Sequence, residues 1–356
     1  MNITFVLPGY SSVPIGGYKV VYSYANYLAE QGHRVSVLQS FLPRGGTDTR
    51  RGLRSFAVAV RDNWHRGRRP AWFELSPDVR VINMPSVRPS QIPTSDAIVA
   101  TSVETAPVVH GAARLQGASG FMLIQHYEEW DSSSEFVDSA WRLPLQKLVI
   151  APWLQRRASG MGLETTLVPN AIDPSEFPQG PDTRFRGNEV VALVSEHAWK
   201  RTDLVIDVFR RLASEHPGIV LSTFGACARP SGLPDSVTHH ESPAPDTLRR
   251  LYQDSKIYLC ASDAEGWHLP PAEAMSSGCA VVSTDIDGVR AYADGVAVFA
   301  PTGDGAGLGD AVIELLGDED RCAELGLSGA RRMREYGPAE AGALLESVLA
   351  QREPTK

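Results

Sequence analysis

Short runs rich in Val and Ile alternate along the chain with longer amphipathic stretches. NITFVL (2–7), RVSVL (34–38), VRVI (79–82), DAIVA (96–100), FMLI (121–124), LVIA (148–151) and TTLV (165–168) have the composition and length of strands. Helix-length segments, such as 18–31 and 103–115, lie between several of them. That alternation predicts βαβ units and a parallel sheet.

A stretch crowded with Pro, Gly and Asp, VPNAIDPSEFPQGPDTRFRGN (168–188), interrupts the alternation and reads as a linker. Beyond it the pattern restarts, with strands at 189–194, 219–224, 256–260, 279–283 and 296–300 and helices at 202–214, 245–254 and 271–277. From about 305 the chain reads as successive helices, broken at Gly337-Pro338. Two doubly wound α/β domains are therefore expected, over 1–172 and 173–336, with a C-terminal helix in 337–356. Ligands of such sheets sit at the carboxyl ends of the strands, here expected to face an inter-domain cleft.

Composition narrows the function. The 356 residues are 43% hydrophobic and 21% charged, as in a soluble globular protein. A formal net charge of −8 argues against a general nucleic-acid binder. The apolar run in MNITFVLPGY is too short for a signal peptide or membrane span, so cytoplasmic residence is the default expectation. Cys227, Cys260, Cys279 and Cys322 show no metal-ligand spacing, and Cys260 and Cys279 read as buried reduced thiols in apolar runs. The histidines lack a metal-binding pattern, so no zinc site is expected. The segment 44–69 stands apart, with eight arginines against two aspartates. Its plain reading is a solvated insertion; the sharper one is a peripheral membrane contact or a site for an anionic acceptor.

Three places carry candidate chemistry. Pro14-Ile-Gly-Gly-Tyr-Lys19 opens into the first helix, where Gly16 and Gly17 would let backbone N–H groups approach a phosphate. Lys200 and Arg201 stand after a strand and before a helix, where two cations could neutralise a diphosphate. AEGWHLPPAEAM (264–275) holds two acids eight positions apart: Glu265 in a loop after a strand, and Glu273 in the first turn of a helix opened by Pro270-Pro271. Taken singly, Glu265 reads as an exposed loop acid, Glu273 as a carboxylate complementing the helix dipole, and Lys200 and Arg201 as surface charges.

EGWHLPPAE resembles the Glu-x7-Glu signature of the family-four retaining glycosyltransferases, and the match runs on through EAMSSGCAVVSTDIDG (273–288). It also takes in 14–38, VPNAID (168–173) and the segment around WKRTD (199–203). The resemblance implies a GT-B fold: two Rossmann-like α/β domains with the active site between them, the C-terminal helix packing back on the first. It implies a nucleoside-diphosphate sugar as donor substrate, a hydroxyl acceptor, no cofactor and no metal. By resemblance, Glu273 binds the donor ribose and Glu265 faces the transferred sugar. Gly266, Trp267, His268 and Leu269 lie near the sugar hydroxyls or phosphates, and Gly16 and Gly17 face the diphosphate. Lys200 neutralises the leaving diphosphate, and His126, in FMLIQHYEEW, contacts sugar or acceptor. Where the family has an arginine five positions before the lysine, this chain has Ser195, and Arg201 replaces the glycine after it; Arg201 is the candidate for the missing cation. Trp267-His268, in place of Phe-Gly, is where a difference in sugar choice is expected.

Two other functions suit the same residues: a nucleotide-sugar epimerase, and a non-catalytic nucleotide-sugar-binding subunit of a glycosyltransferase complex. Acceptor choice is expected in the loops 41–78 and 127–145, the first basic and the second acidic through Glu128, Glu129, Asp131, Glu135 and Asp138. A glycan, a lipid-linked saccharide or a natural product would serve as acceptor. The sequence indicates no oligomeric state.

Overall fold

Both sheets are parallel throughout, and their strand orders explain where a ligand would bind. The computed structural model describes residues 1–40, 69–129 and 132–351, which divide into two compact units: 1–170 with 338–356, and 171–337. The arginine-rich segment 44–68, Asp131 and the last five residues lie outside the described residues.

In the first unit, β1 (Asn2–Leu7), β2 (Arg34–Ser40), β3 (Arg80–Met84), β4 (Ala97–Ala100), β5 (Ser119–Ile124), β6 (Gln146–Val149) and β7 (Thr165–Leu167) form one sheet. Its order is β3-β2-β1-β4-β5-β6-β7. The central strands are buried on both faces: β4 and β5 expose no residue, as a parallel sheet covered by crossover helices requires. The covering helices are α1 (Gly16–Glu30), α2 (Ala106–Gln116), α3 (Ser134–Trp141) and α4 (Pro152–Gly160).

The second unit repeats the plan. β8 (Glu189–Leu193), β9 (Val220–Gly225), β10 (Thr238–Glu241), β11 (Ile257–Cys260), β12 (Ala280–Thr284) and β13 (Val298–Ala300) pair in the order β10-β9-β8-β11-β12-β13. Around them run α5 (Thr202–Glu215), α6 (Pro245–Asp254), α7 (Leu269–Ser276), α8 (Asp287–Ala293), α9 (Gly305–Gly317) and α10 (Glu319–Met333). Val190, Ala192, Phe209, Leu212, Leu259 and Val282 belong to its fully buried core. The last helix, α11 (Pro338–Ala350), belongs to the first unit, where it packs on α1 and His33 Nε2 meets Glu346 Oε1 at 2.7 Å.

All twelve strands anticipated from composition form. β10 was not among them, because Thr-His-His-Glu has neither apolar alternation nor a β-branched run; it survives as an edge strand, with His239 Nδ1 3.0 Å from Thr223 Oγ1. The region expected as an acceptor loop over 127–145 holds α3. Ser133 caps it by accepting from Phe136 N, and Asp138 is turned inward to accept from Tyr127 OH at 2.8 Å.

The stretch anticipated as a linker is, from Ala171 onward, laced to the second unit. The buried Arg186 guanidinium donates to Pro181 O, Tyr252 O, Ser255 O and Ser277 O, the last three at the C-terminal ends of α6 and α7. A cation at two helix C-termini satisfies orphan carbonyls and opposes their partial negative charge. Gly180 N donates to Ser277 O and Ser276 Oγ to Phe177 O, so proline and glycine here shape an anchored strap.

Candidate active site

In an open parallel sheet, the crevice for a ligand opens where two neighbouring strands send their connections to opposite faces. In the second unit that point lies between β8 and β11. The connection after β8 carries Lys200, the one after β11 carries Glu265, and the two side chains meet: Lys200 Nζ lies 2.6 Å from Glu265 Oε1. Both are largely withdrawn from solvent, at 17% and 11% side-chain exposure. Glu265 is therefore not the exposed loop acid of the plain reading. A pair buried to this degree is costly to break, because removing one partner strands the other's charge, at about 3–5 kcal/mol.

Three elements hold the Glu265 loop in place. Asp263 N donates to Trp199 O at 2.8 Å, tying it to the connection after β8. Thr284 Oγ1, at the end of β12, donates to Ser262 O at 2.5 Å. Gly288, in the first turn of α8, lies against the Glu265 carbonyl so closely that any side chain there would collide with it.

His268 completes the cluster. Its Nε2 lies 3.8 Å from Glu265 Oε1, and its Nδ1 lies 3.4 Å from Cys260 Sγ on β11. Burial pushes the Cys260 thiol up, so the sulfur keeps its proton and is able to donate it to Nδ1. Burial likewise lowers the imidazole, against the attraction of Glu265, to about 3, so the ring is neutral. A neutral ring accepting at Nδ1 carries its proton on Nε2, facing the carboxylate. Burial would raise the Glu265 carboxyl, but the His268 ring and the Lys200 ammonium outweigh it and hold the group below the ordinary carboxylate range. Although sulfur, imidazole and carboxylate stand in a row, Cys260 is 2% exposed and protonated, so the row is no nucleophilic triad.

Glu273 sits deeper in α7 than the double proline suggested. The helix begins at Leu269 with His268 as its N-cap, so Glu273 is its fifth residue, past the first turn where a carboxylate best complements the dipole. It is 6% exposed and accepts from Tyr252 OH at 3.3 Å. α7 is buried nearly all round, and Glu273 is its only charged residue. Pro270 and Pro271 have no N–H, so the donors that helix geometry leaves without an intrahelical acceptor are those of His268 and Leu269.

Two expectations change. The Trp267 side chain is 2% exposed and packs against Tyr292, with ring centroids 4.3 Å apart, and against Tyr336 at 5.7 Å. It belongs to the core, so sugar choice is not read by that indole; only its backbone stays near the loop. Arg201 adopts a left-handed backbone (φ 50°), and its guanidinium bonds Asp203 (2.9–3.2 Å) and Asp263 (3.1 Å). Two carboxylates already match its charge, which argues against its standing in for the arginine absent at Ser195. Ser195 itself exchanges hydrogen bonds with Thr202.

In the first unit the corresponding place, between β1 and β4, lies beside Gly16 and Gly17. Both are helical, in the first turn of α1, with Ile15 as N-cap. Gln125, after β5, donates to Gly17 O at 3.1 Å, and a side chain at Gly17 would press on the Gln125 amide at 3.2–3.3 Å. His126, next along, donates Nδ1–H to Tyr127 O at 3.0 Å and meets Trp153 edge-on at 5.5 Å. Tyr18 OH accepts from Gly9 N, and Glu128 Oε2 accepts from Val103 N ahead of α2. Sequence reasoning passed over Gln125 and Tyr18 and read Cys260 only as a buried thiol, because their partners come from other segments.

An Asp-x-Asp follows a strand: Asp285-Ile286-Asp287 comes directly after β12. Asp285 is held by Arg290 at 2.5 and 3.0 Å. Among the described residues no three His, Cys, Asp or Glu gather as metal ligands, and no helix is long and apolar enough to cross a membrane.

Comparison with known proteins agrees with this geometry. Residues 188–318 match the family model described as "Glycosyl transferases group 1". Over 122 residues the chain is 31% identical to D-inositol 3-phosphate glycosyltransferase of Nocardia farcinica; the match takes in 33% of this chain and 27% of that protein. Over 98% of its length the chain is similar to sucrose-phosphate synthase from Thermosynechococcus elongatus, with a TM-score of 0.78 at 15% identity, covering 98% of that chain. HepE from Anabaena in complex with UDP-glucose gives 0.74 at 15%, and S. aureus TarM in a complex that includes UDP gives 0.71 at 9%, each with 98% of this chain and 99% of the other. The fold is thus that of GT-B glycosyltransferase structures, two Rossmann-like parallel-sheet α/β domains.

Proposed function

We propose that the protein is a retaining glycosyltransferase that moves a sugar from a nucleoside-diphosphate donor to a hydroxyl acceptor, without a metal. The observation that carries this reading is the Lys200–Glu265 pair, buried at the switch point of the second sheet beside the N-terminus of α7. As the donor bond breaks, negative charge grows on the departing phosphate, so cations and N–H dipoles already aimed there stabilise the transition state more than the ground state. Lys200 has three N–H bonds, enough to hold Glu265 and a phosphate oxygen together. The N–H groups of His268 and Leu269 supply the remaining donors.

In this reading Glu265 accepts from hydroxyls of the transferred sugar and Glu273, backed by Tyr252, accepts from the ribose. The acceptor hydroxyl attacks the face from which the diphosphate leaves, which preserves the anomeric configuration. In the same reading Gly16 and Gly17 face the donor diphosphate, and His126 contacts the sugar or the acceptor. The UDP and UDP-glucose in the HepE and TarM complexes make uridine the first base to try.

The test is a thermal-shift screen of UDP-, GDP-, ADP- and dTDP-sugars, since a ligand that binds only the folded state raises its apparent stability. At least one member should stabilise the protein, and the transferred sugar should keep its configuration by NMR. If purified protein with both Glu265→Ala and Glu273→Ala retains full transfer, the assignment of these residues is wrong.

A further inference from the structure

His268 has two features that packing alone does not call for. Its φ of 59° lies in the left-handed region, at the place where the signature this chain resembles has a glycine. Its buried Nε2 has no hydrogen-bond partner among the described residues, although Glu265 Oε1 stands 3.8 Å away. Strained backbone at a non-glycine residue survives where its surroundings over-determine it, and here they do: Tyr292 OH donates to His268 O at 2.9 Å, and Cys260 Sγ faces Nδ1 at 3.4 Å. The surroundings thus fix the ring's position with Nε2 turned to the carboxylate, and in the tautomer that accepts from Cys260 the N–H points there.

We propose that His268 is a positioning residue for Glu265, its Nε2–H holding Oε1 in place when the donor diphosphate draws on Lys200. Without a donor, the ammonium grips that oxygen, at 2.6 Å. With a diphosphate bound, Lys200 is shared between two anions, and of its side-chain hydrogen bonds the carboxylate would keep in full only the one from Ser262, too few to fix both oxygens. A neutral N–H suits this task because it orients the carboxylate without adding a second cation to compete for the phosphates. The inference rests on the donor-site reading above and extends it to a side chain that the glycine of the related signature lacks.

The experiment compares the wild type, His268→Gly and His268→Asn, using whichever UDP-, GDP-, ADP- or dTDP-sugar stabilises the wild type, and the matching free diphosphate. Glycine accepts the backbone but offers no donor; asparagine tolerates the left-handed region and keeps an N–H. The expected result is a kcat lowered roughly 10- to 100-fold in His268→Gly, as misplacement of a reacting group produces. Affinity for the free diphosphate should be unchanged, and His268→Asn should recover part of the loss. Should His268→Gly not fold, His268→Leu, similar in bulk and without a donor, replaces it with the same expectation.

The inference is overturned if the donorless variant keeps the wild-type kcat. It is also overturned if diphosphate binding falls in step with kcat, or if asparagine recovers nothing. A wild type that no sugar nucleotide stabilises overturns the donor reading and this inference together, whereas binding with an indifferent His268→Gly overturns the inference alone.

Discussion

The two units share a plan, a parallel sheet with a switch point beside β1 and β8 respectively, yet equip it differently. In the second unit charged side chains are driven into the crevice: Lys200 against Glu265, with His268 behind them and Glu273 in a helix otherwise uncharged. In the first, the equivalent place is built from a helix start, two glycines, an amide and an aromatic-backed histidine. Buried charge is stable only when its partners are preset, so the second site is rigidly specified. The first unit's crevice relies instead on backbone and mostly uncharged side chains, with Glu128 accepting from Val103 N nearby.

Substitutions sharpen that contrast. Lys200→Met should have the largest effect: about 3–5 kcal/mol lost in chemical denaturation, from the stranded Glu265 charge, and turnover down about 100-fold or more. Adding Glu265→Gln should restore much of the stability and none of the activity, and a double variant as unstable as Lys200→Met would show that the pair is not what holds the loop.

Acid gives the next test. Because the folded His268 is lowered from 6.5 to about 3, the unfolded chain binds more protons between those values, so stability is full above 6.5 and falls as pH drops through the window. Glu265, lowered from 4.5, acts in the same direction, but its contribution is lost only below 4.5. His268→Asn should therefore lose less Tm than the wild type between neutral pH and the carboxylate range, the slope that remains coming from His110 and His240, which burial also lowers.

The first unit should respond through activity alone. Gly17→Ala adds a methyl against the Gln125 amide and should reduce turnover about tenfold by shifting the α1 start relative to His126. Its stability should stay near wild type, because alanine's advantage within a helix offsets the crowding. Smallest of all, Arg201→Lys should leave turnover unchanged and cost at most about 1 kcal/mol, since its partners are solvent-exposed aspartates. A large loss of turnover there would return Arg201 to the diphosphate.

Much of the fold was legible because strands buried on both faces must be continuous apolar runs, and the stretches between them must be long enough to cross back. Glu265 and Lys200 could be named because each lies just beyond such a strand. Their direct contact could not be read, since it joins residues 65 positions apart through a strand order that local pattern does not encode. The 168–188 stretch misled for a related reason: proline and glycine mark irregular backbone, whether it swings free or, as with Arg186, is bolted down by contacts from α6 and α7. Trp267 misled by position, because the backbone beside a site and the side chain it carries can face opposite ways.

The sequence by itself determined the two sheets, their helices and the residue types at the switch point, because these depend on periodicity and on turns of a few residues. Only the tertiary structure decided which charges meet, that Arg201 pairs with two aspartates, that Glu273 lies past the first turn of its helix, and that His268 turns its Nε2 toward Glu265. Those outcomes depend on burial and on distances between distant segments, and a side chain's charge, tautomer and partner are properties of the site the fold assembles around it.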